Sequence, residues 1–138
     1  MPRPEVIEVV RGWVTKAEHD LRNGQYVLGM ADDVCPFDTI CFHAQQAVEK
    51  YLKALLCWYG IEFYRTHDLT ELHFLLPEQQ RACFDIDAIA ELNPYAVEGR
   101  YPGLWDTINR ADADRCITIA VSVRNAARSL LPEETREY

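Results

Sequence analysis

The chain has 138 residues, 49% of them hydrophobic and 26% charged, which is typical of a single globular domain with a core of its own. Its formal net charge of −8 disfavours non-specific binding to nucleic acid, because contacts with phosphates supply most of that affinity. No apolar run approaches the roughly 20 residues that cross a membrane, and the first residues lack the apolar stretch of a signal peptide, so we predict one cytoplasmic domain over residues 1–138.

The first predicted helix begins at Pro4 and continues to about Ala31. A proline in the first turn followed by Glu5 is favourable there, because the acid lies at the positive end of the helix dipole. Three glycines within the segment weaken the helix. Apolar side chains recur at helical spacing along it: Val6, Val10, Trp13, Ala17, Leu21 and Leu28.

A second helix is predicted from about Phe37 to Tyr59, after a break around Pro36. Gly60 ends it, as glycine commonly does just beyond a helix C-terminus. The helix carries a broad apolar stripe: Phe37, Ile40, Cys41, Ala44, Ala47, Val48, Tyr51, Leu52, Leu55 and Tyr59.

Shorter elements follow the second helix. Thr66 is expected to cap a short helix, with Asp68 in its first turn. Pro77 begins another short turn. Residues 85–98 have a helical pattern that Asn93-Pro94 interrupts.

The last long helix is predicted from about Asp112 to about Leu131, just before a proline. The chain then has three long amphipathic helices and several short ones, and no convincing alternating strand pattern. This predicts an all-α fold, an up-and-down helical bundle of about four to five helices, three of them long.

One face of the second helix is polar. At about 100° per residue, five side chains fall in one sector opposite the apolar stripe: His43, Gln46, Lys50, Lys53 and Cys57. Periodicity alone favours a solvated face, with Glu49 four residues before Lys53 in the stabilising order. Phe42 lies beside this stripe, and its large ring instead favours a partner or ligand surface along part of it.

Two charges fall on the inward faces of the outer long helices: Asp20 in the first and Arg124 in the last. A lone buried charge costs several kcal/mol, so each requires a partner. One hypothesis is a structural ion pair between Asp20 and Arg124 across the bundle. The alternative is that both line a polar cleft that holds a substrate.

No metal site or cofactor site is indicated by the sequence. The five cysteines are scattered, without a CxxC pair or a His/Cys cluster at zinc spacing, so we expect reduced thiols and no bound metal. The chain has neither a Gly-rich phosphate loop nor a paired-carboxylate motif. We therefore expect no nucleotidyltransferase or kinase activity within this chain.

Several motifs occur together in a specific order. They are Trp13, Asp20 and Leu21 in the first helix, HAQQAVEKYLKALL (residues 43–56), RTHDLTELHFLL (65–76), GRYPG (99–103) and RNAARSLL (124–131). In this combination the chain resembles, over nearly its whole length, the HEPN family of prokaryotic defence and toxin–antitoxin loci. The resemblance implies a helical bundle that is usually a homodimer, and a separate minimal nucleotidyltransferase as its partner protein.

Catalytic HEPN proteins resemble metal-independent ribonucleases. Their signature is an arginine, often followed by Asn, and then a histidine after four to six intervening positions. Arg124-Asn125 matches the first half, but residues 129–131 contain no histidine. Histidine is the usual group for proton transfer near neutral pH. The resemblance therefore implies a partner subunit that is non-catalytic.

Two alternatives remain open. One is an RNA-cleaving toxin with a degenerate site, in which His67 or His43 approaches Arg124 and Asn125 in space. The alternative role of His67 is that of a structural hydrogen-bonding group. The other is a nucleotide-binding module, in which a group of bases holds a phosphate; these bases otherwise pair with the chain's own acids. The bases are Lys50, Lys53, Arg65 and Arg100.

Overall fold

The computed structural model describes residues 3–96 and 108–136, in which all regular secondary structure is helical. The predicted all-α fold is confirmed, with three long helices as expected and three short ones. The helices are α1 (Pro4–Leu28), α2 (Phe37–Trp58), α3 (Leu69–Leu75), α4 (Glu78–Arg81), α5 (Ile86–Ala90) and α6 (Arg110–Leu130). Two 3-10 helices cover Asn93–Tyr95 and Glu133–Thr135.

Helix α1 begins where the sequence predicts and ends at Leu28, three residues before the predicted end. Its inward face is apolar and closely packed. At Gly24, an added Cβ would lie 2.9 Å from Cδ1 of Ile117 on α6. The small residue therefore lets the first and last long helices approach one another closely.

Helix α2 is the centre of the bundle, with α1 and α6 packed against it. Most of its side chains are buried, including all of those from Tyr51 to Leu56. It ends at Trp58, and Gly60 adopts a φ of 70°. The Ile61 N–H then donates to the Leu56 carbonyl at 2.9 Å, a typical C-terminal closure. The predicted glycine ending is confirmed.

Helix α3 has a different cap from the one predicted. Asp68, and not Thr66, occupies the N-cap, and its carboxylate accepts from the N–H groups of Thr70 and Glu71. A cap must lie two or three residues before the N–H groups that it binds, so Thr66 is too early. The Thr66 hydroxyl instead donates to the Glu71 carboxylate at 3.0 Å.

Short helical segments follow α3 and precede the last long helix in the chain. Helix α5 closes before the predicted interruption, and residues 97–107, which include the GRYPG motif, lie outside the described residues. Helix α6 begins two residues earlier than predicted. Asn109 and Asp112 form a reciprocal capping box, so Asp112 is the third helical residue and not the first.

The core is one apolar cluster formed mainly by α1, α2 and α6. Helices α3 and α5 contribute Leu69, Leu72 and Ile89 to its side, and Leu92, just before the 3-10 helix, joins them. None of the described helices combines the length and apolar character that a membrane crossing requires.

Candidate functional site

The polar side of α2 is covered by other parts of the chain. The side chains of Lys53 and Glu49 are only 7% and 4% exposed. The Lys53 ammonium lies 5.4 Å from the centre of the Trp13 ring, which comes from α1, and 5.8 Å from that of Phe63. A solvated face is therefore the wrong interpretation for this part of α2, because two aromatic rings close over it.

A buried carboxylate organises this region, which we call the Glu49 network (Gln45, Glu49, Lys53 and His67). Oε2 of Glu49 accepts from the Lys53 ammonium at 3.1 Å, which confirms the pairing that their four-residue spacing predicts. Oε1 accepts from the Gln45 amide at 3.3 Å and contacts Nδ1 of His67 at 2.8 Å. The Gln45 amide also donates to the His67 carbonyl at 3.2 Å. Glu49 therefore holds the ring of His67, and Gln45 holds its backbone carbonyl.

His67 is the exposed end of the Glu49 network. Its side chain is 59% exposed, whereas the carboxylate beneath it is almost inaccessible. The other ring nitrogen, Nε2, bonds to no described residue. The sequence did not reveal Glu49 as the partner, because the connecting loop sets their distance.

A second cluster joins α1 to α2 through Asp20. One carboxylate oxygen accepts from the Lys50 ammonium in a short contact, and the other lies 3.3 Å from Nδ1 of His43. Burial by itself would raise the pKa of Asp20. The hydrogen bonds from His43 and Lys50 outweigh burial and hold the pKa of Asp20 below its ordinary value.

Arg124 belongs to a third group, the Glu18 cluster (Glu18, Tyr51, Arg124 and Arg128). Oε1 of Glu18 accepts from Nε of Arg124 at 2.7 Å, from the Tyr51 hydroxyl at 2.6 Å and from Nη1 of Arg128 at 3.3 Å. The Glu18 side chain is 3% exposed. Burial and the bond to Glu18 both raise the pKa of Tyr51 far above its ordinary value, so the phenol stays protonated.

The predicted ion pair between Asp20 and Arg124 is wrong. Arg124 pairs with Glu18, and Asp20 pairs with Lys50. Glu18 and Asp20 lie two residues apart on α1, so their side chains point about 200° away from each other. Glu18 faces α6, whereas Asp20 faces the polar side of α2. A signal for Glu18 was present in the sequence, since Val14 and Leu21 lie four residues before and three residues after it on the buried face.

The structure does not join the predicted ribonuclease residues in one hydrogen-bonded group. In the described part of the chain, Arg124 bonds to Glu18, and His67 bonds to Glu49. The other candidate histidine, His43, contacts Asp20. Asn125 is exposed on α6. In the described residues, Arg124 therefore bonds to a carboxylate and not to a histidine.

Two of the four predicted phosphate-binding bases are held in ion pairs. Lys50 pairs with Asp20, and Lys53 pairs with Glu49 inside the protein. Arg65 is exposed, and Arg100 lies outside the described residues. Over residues 3–96 and 108–136, no three His, Cys, Asp or Glu side chains are grouped so that they could hold a metal ion.

Comparisons with known proteins agree with the motifs. The HEPN domain model matches residues 10–130. The crystal structure of ST0689, an archaeal HEPN homologue, has 27% identity and a TM-score of 0.67, and the match covers 94% of this chain and 98% of that chain. The crystal structure of TT1696 from Thermus thermophilus has 27% identity and a TM-score of 0.74, with 88% and 98% covered. No curated protein sequence matches significantly. Because the HEPN domain model spans most of the sequence, the chain belongs to the HEPN family.

Proposed function

We propose that this protein is a non-catalytic HEPN subunit that acts with a separate minimal nucleotidyltransferase, in a two-component module of the toxin–antitoxin or defence type. One observation carries the proposal. The guanidinium of Arg124, which matches the first half of the ribonuclease signature, is held by the buried carboxylate of Glu18. In the described residues it bonds to no histidine.

The chemistry of RNA cleavage explains why this matters. Without a metal, the attacking hydroxyl must lose a proton and the leaving oxygen must gain one. A guanidinium supplies charge and hydrogen-bond donors and not proton transfer. Tyr51 also reaches Glu18, but its raised pKa makes it a poor base near neutral pH. The Glu18 cluster is therefore better suited to holding α1, α2 and α6 together.

The test is co-expression with the nucleotidyltransferase encoded by the adjacent gene, followed by an RNA cleavage assay. We expect the two proteins to co-purify as a stable complex, and the HEPN protein alone to leave RNA intact over hours. Failure to co-purify, or the absence of such a neighbouring gene, contradicts the partner assignment.

A matched pair of variants separates intrinsic cleavage from contamination. Arg124→Ala removes the signature arginine, and Arg115→Ala removes another arginine of α6, whose partner is the exposed Glu91. Cleavage that persists in Arg115→Ala and disappears in Arg124→Ala would establish the ribonuclease alternative. Equal residual cleavage in all preparations indicates a contaminant.

A further inference from the structure

A small cleft, which we call the α5–α6 cleft, lies between the fifth and sixth helices. Helix α5 packs mainly on α3 and makes few contacts with α6. The space left between α5 and α6 has a volume of about 170 Å³. An engineered protein cavity of roughly 150 Å³ holds a benzene molecule, so this cleft has room for one six-membered ring with a short substituent. The apolar side chains that line it are Phe84, Ala88, Ile89, Ile119 and Val123.

The floor of the α5–α6 cleft is part of the hydrophobic core. Ile89, Ile119 and Val123 are at most 5% exposed, so packing fixes their positions. Phe84 forms one edge, and its ring lies edge-on to the His73 ring with 6.1 Å between the two centres. A ring that enters the cleft would therefore displace water from an apolar surface that is already ordered, which lowers the entropy cost of binding.

The rim of the α5–α6 cleft carries a carboxylate with one oxygen available. Asp85 is the N-cap of α5, and its Oδ1 accepts from the Ala88 N–H at 3.2 Å. Its Oδ2 accepts no hydrogen bond from the described residues. On the α6 side of the cleft, the exposed Ser122 contributes a hydroxyl. Both oxygens can accept hydrogen bonds from an ammonium group.

The charge at the rim of the α5–α6 cleft is negative. Among the described residues that line it, Arg115 is the one base. Nε and Nη2 of Arg115 donate to the two carboxylate oxygens of Glu91 at 3.2 Å and 2.8 Å, so this pair is close to neutral as a whole. Asp85 then remains as an unbalanced charge, and Asp87 and Asp114 are further exposed acids on the same two helices. The cleft therefore favours a cation over an anion.

Two other bases that lie near the cleft in the sequence point elsewhere. The Arg81 guanidinium lies 5.2 Å from the centre of the Phe74 ring on α3. The Arg124 guanidinium bonds to Glu18 on α1. Neither base lines the α5–α6 cleft, so Asp85 sets the sign of its charge.

We propose that the α5–α6 cleft is a binding site for a small organic cation, made of a ring-sized apolar group that carries one ammonium. The apolar group lies on Ile89, Ile119 and Val123, and the ammonium donates to Oδ2 of Asp85 and to the Ser122 hydroxyl. Such a ligand joins α5 to α6 and stabilises the folded protein by binding to it. This inference is independent of the proposed function, because no residue of the Glu18 cluster lines the cleft.

The experiment titrates the full chain with three probes of nearly equal shape and follows the backbone amide signals by NMR. The probes are benzylamine, which is a cation at neutral pH, benzyl alcohol, which is neutral, and benzoate, which is an anion. We expect benzylamine to bind with a dissociation constant of about 1 mM and to shift the amide signals of residues that line the cleft. We expect benzyl alcohol to bind about three- to tenfold more weakly, and benzoate more weakly still.

A matched pair of variants tests the role of the carboxylate. Asp85→Asn removes the charge and keeps an N-cap of equal quality, so α5 remains intact. We expect it to weaken the binding of benzylamine about three- to tenfold and to leave that of benzyl alcohol unchanged. Asp87→Asn removes an exposed acid of α5 that does not line the cleft, and we expect its affinity for benzylamine to equal that of the unmodified protein.

Three results would overturn the proposal. If about 10 mM benzylamine shifts no amide signal of the cleft, the cleft is not a binding site. Equal affinities for all three probes would show an apolar cleft without preference for a cation. Equal weakening by Asp85→Asn and Asp87→Asn would show that only the net charge of the protein attracts the probe.

Discussion

Three acidic residues, Glu18, Asp20 and Glu49, each gather side chains from other parts of the chain. A carboxylate taken out of water is costly unless charged or polar donors replace the lost solvent. Each of these has at least two donors. Removing any one base therefore leaves a partly compensated charge inside the protein, which costs more than losing a surface ion pair.

At the scale of the residue, we predict that Asp20→Asn is destabilising at neutral pH and less destabilising in acid. We expect the free energy of unfolding at pH 7 to fall by about 1 to 3 kcal/mol, because an amide offers Lys50 and His43 one neutral oxygen in place of two charged ones. The folded pKa of Asp20 lies below the unfolded value of about 3.9. The stabilisation of the folded state by ionised Asp20 is therefore fully present above about pH 3.9, and it is lost as the pH falls through the folded pKa.

Urea unfolding of both proteins at pH 7 and at about pH 3 measures this difference. Asp33→Asn is a suitable control, because Asp33 is exposed, and we expect a change within about 0.5 kcal/mol. A destabilisation by Asp20→Asn that is the same at both pH values would show that the ion pair is not its cause.

The residue scale is where sequence reasoning succeeded least. Helical periodicity correctly indicated that buried charges on α1 and α6 need partners, but it chose Asp20 where the structure has Glu18. A helical wheel gives the direction of a side chain and not the identity of the helix opposite. The pairing of His67 with Glu49 depends on the conformation of a loop, which no periodicity describes.

At the scale of the element, two glycines have opposite roles. Around Gly12, an added Cβ would meet no atom within 4 Å. We predict that Gly12→Ala raises the free energy of unfolding by about 0.5 to 1 kcal/mol, because alanine restricts the unfolded chain and favours the helix. We predict that Gly60→Ala lowers it by about 1 to 2 kcal/mol, since Gly60 has a φ of 70°.

Thermal melting of the two variants tests this contrast. We expect shifts of a few degrees in opposite directions. A lower melting temperature for Gly12→Ala would mean that this part of α1 packs against something other than solvent, such as a second chain.

The helices themselves were largely predictable. The pattern of apolar residues located all three long helices with errors of at most three residues at their ends. The errors arise at the caps. Asp112 resembles a helix start although Asn109 provides the cap, and Thr66 resembles a cap although Asp68 provides it. Two polar residues in neighbouring turns compete for that position, and only the local backbone decides between them.

At the scale of the whole molecule, we predict a homodimer with an apolar interface between long helices. Phe42 and Trp58 are large aromatic residues that the single chain leaves half-buried. Light scattering at tens of micromolar should give twice the 15.9 kDa of one chain. A monomer at that concentration would contradict the prediction, and a loss of dimer in Phe42→Ser would locate the interface.

Three consecutive residues of α2 bond to three different neighbours. Glu49 holds the loop through His67, Lys50 binds Asp20 on α1, and Tyr51 donates to Glu18 inside the bundle. Each step along a helix turns by about 100°. Inserting or deleting a single codon ahead of this triplet would rotate all three away from their acceptors together. Evolutionary change in this helix is thereby restricted to exchanges at constant length, so related chains should align through it without gaps.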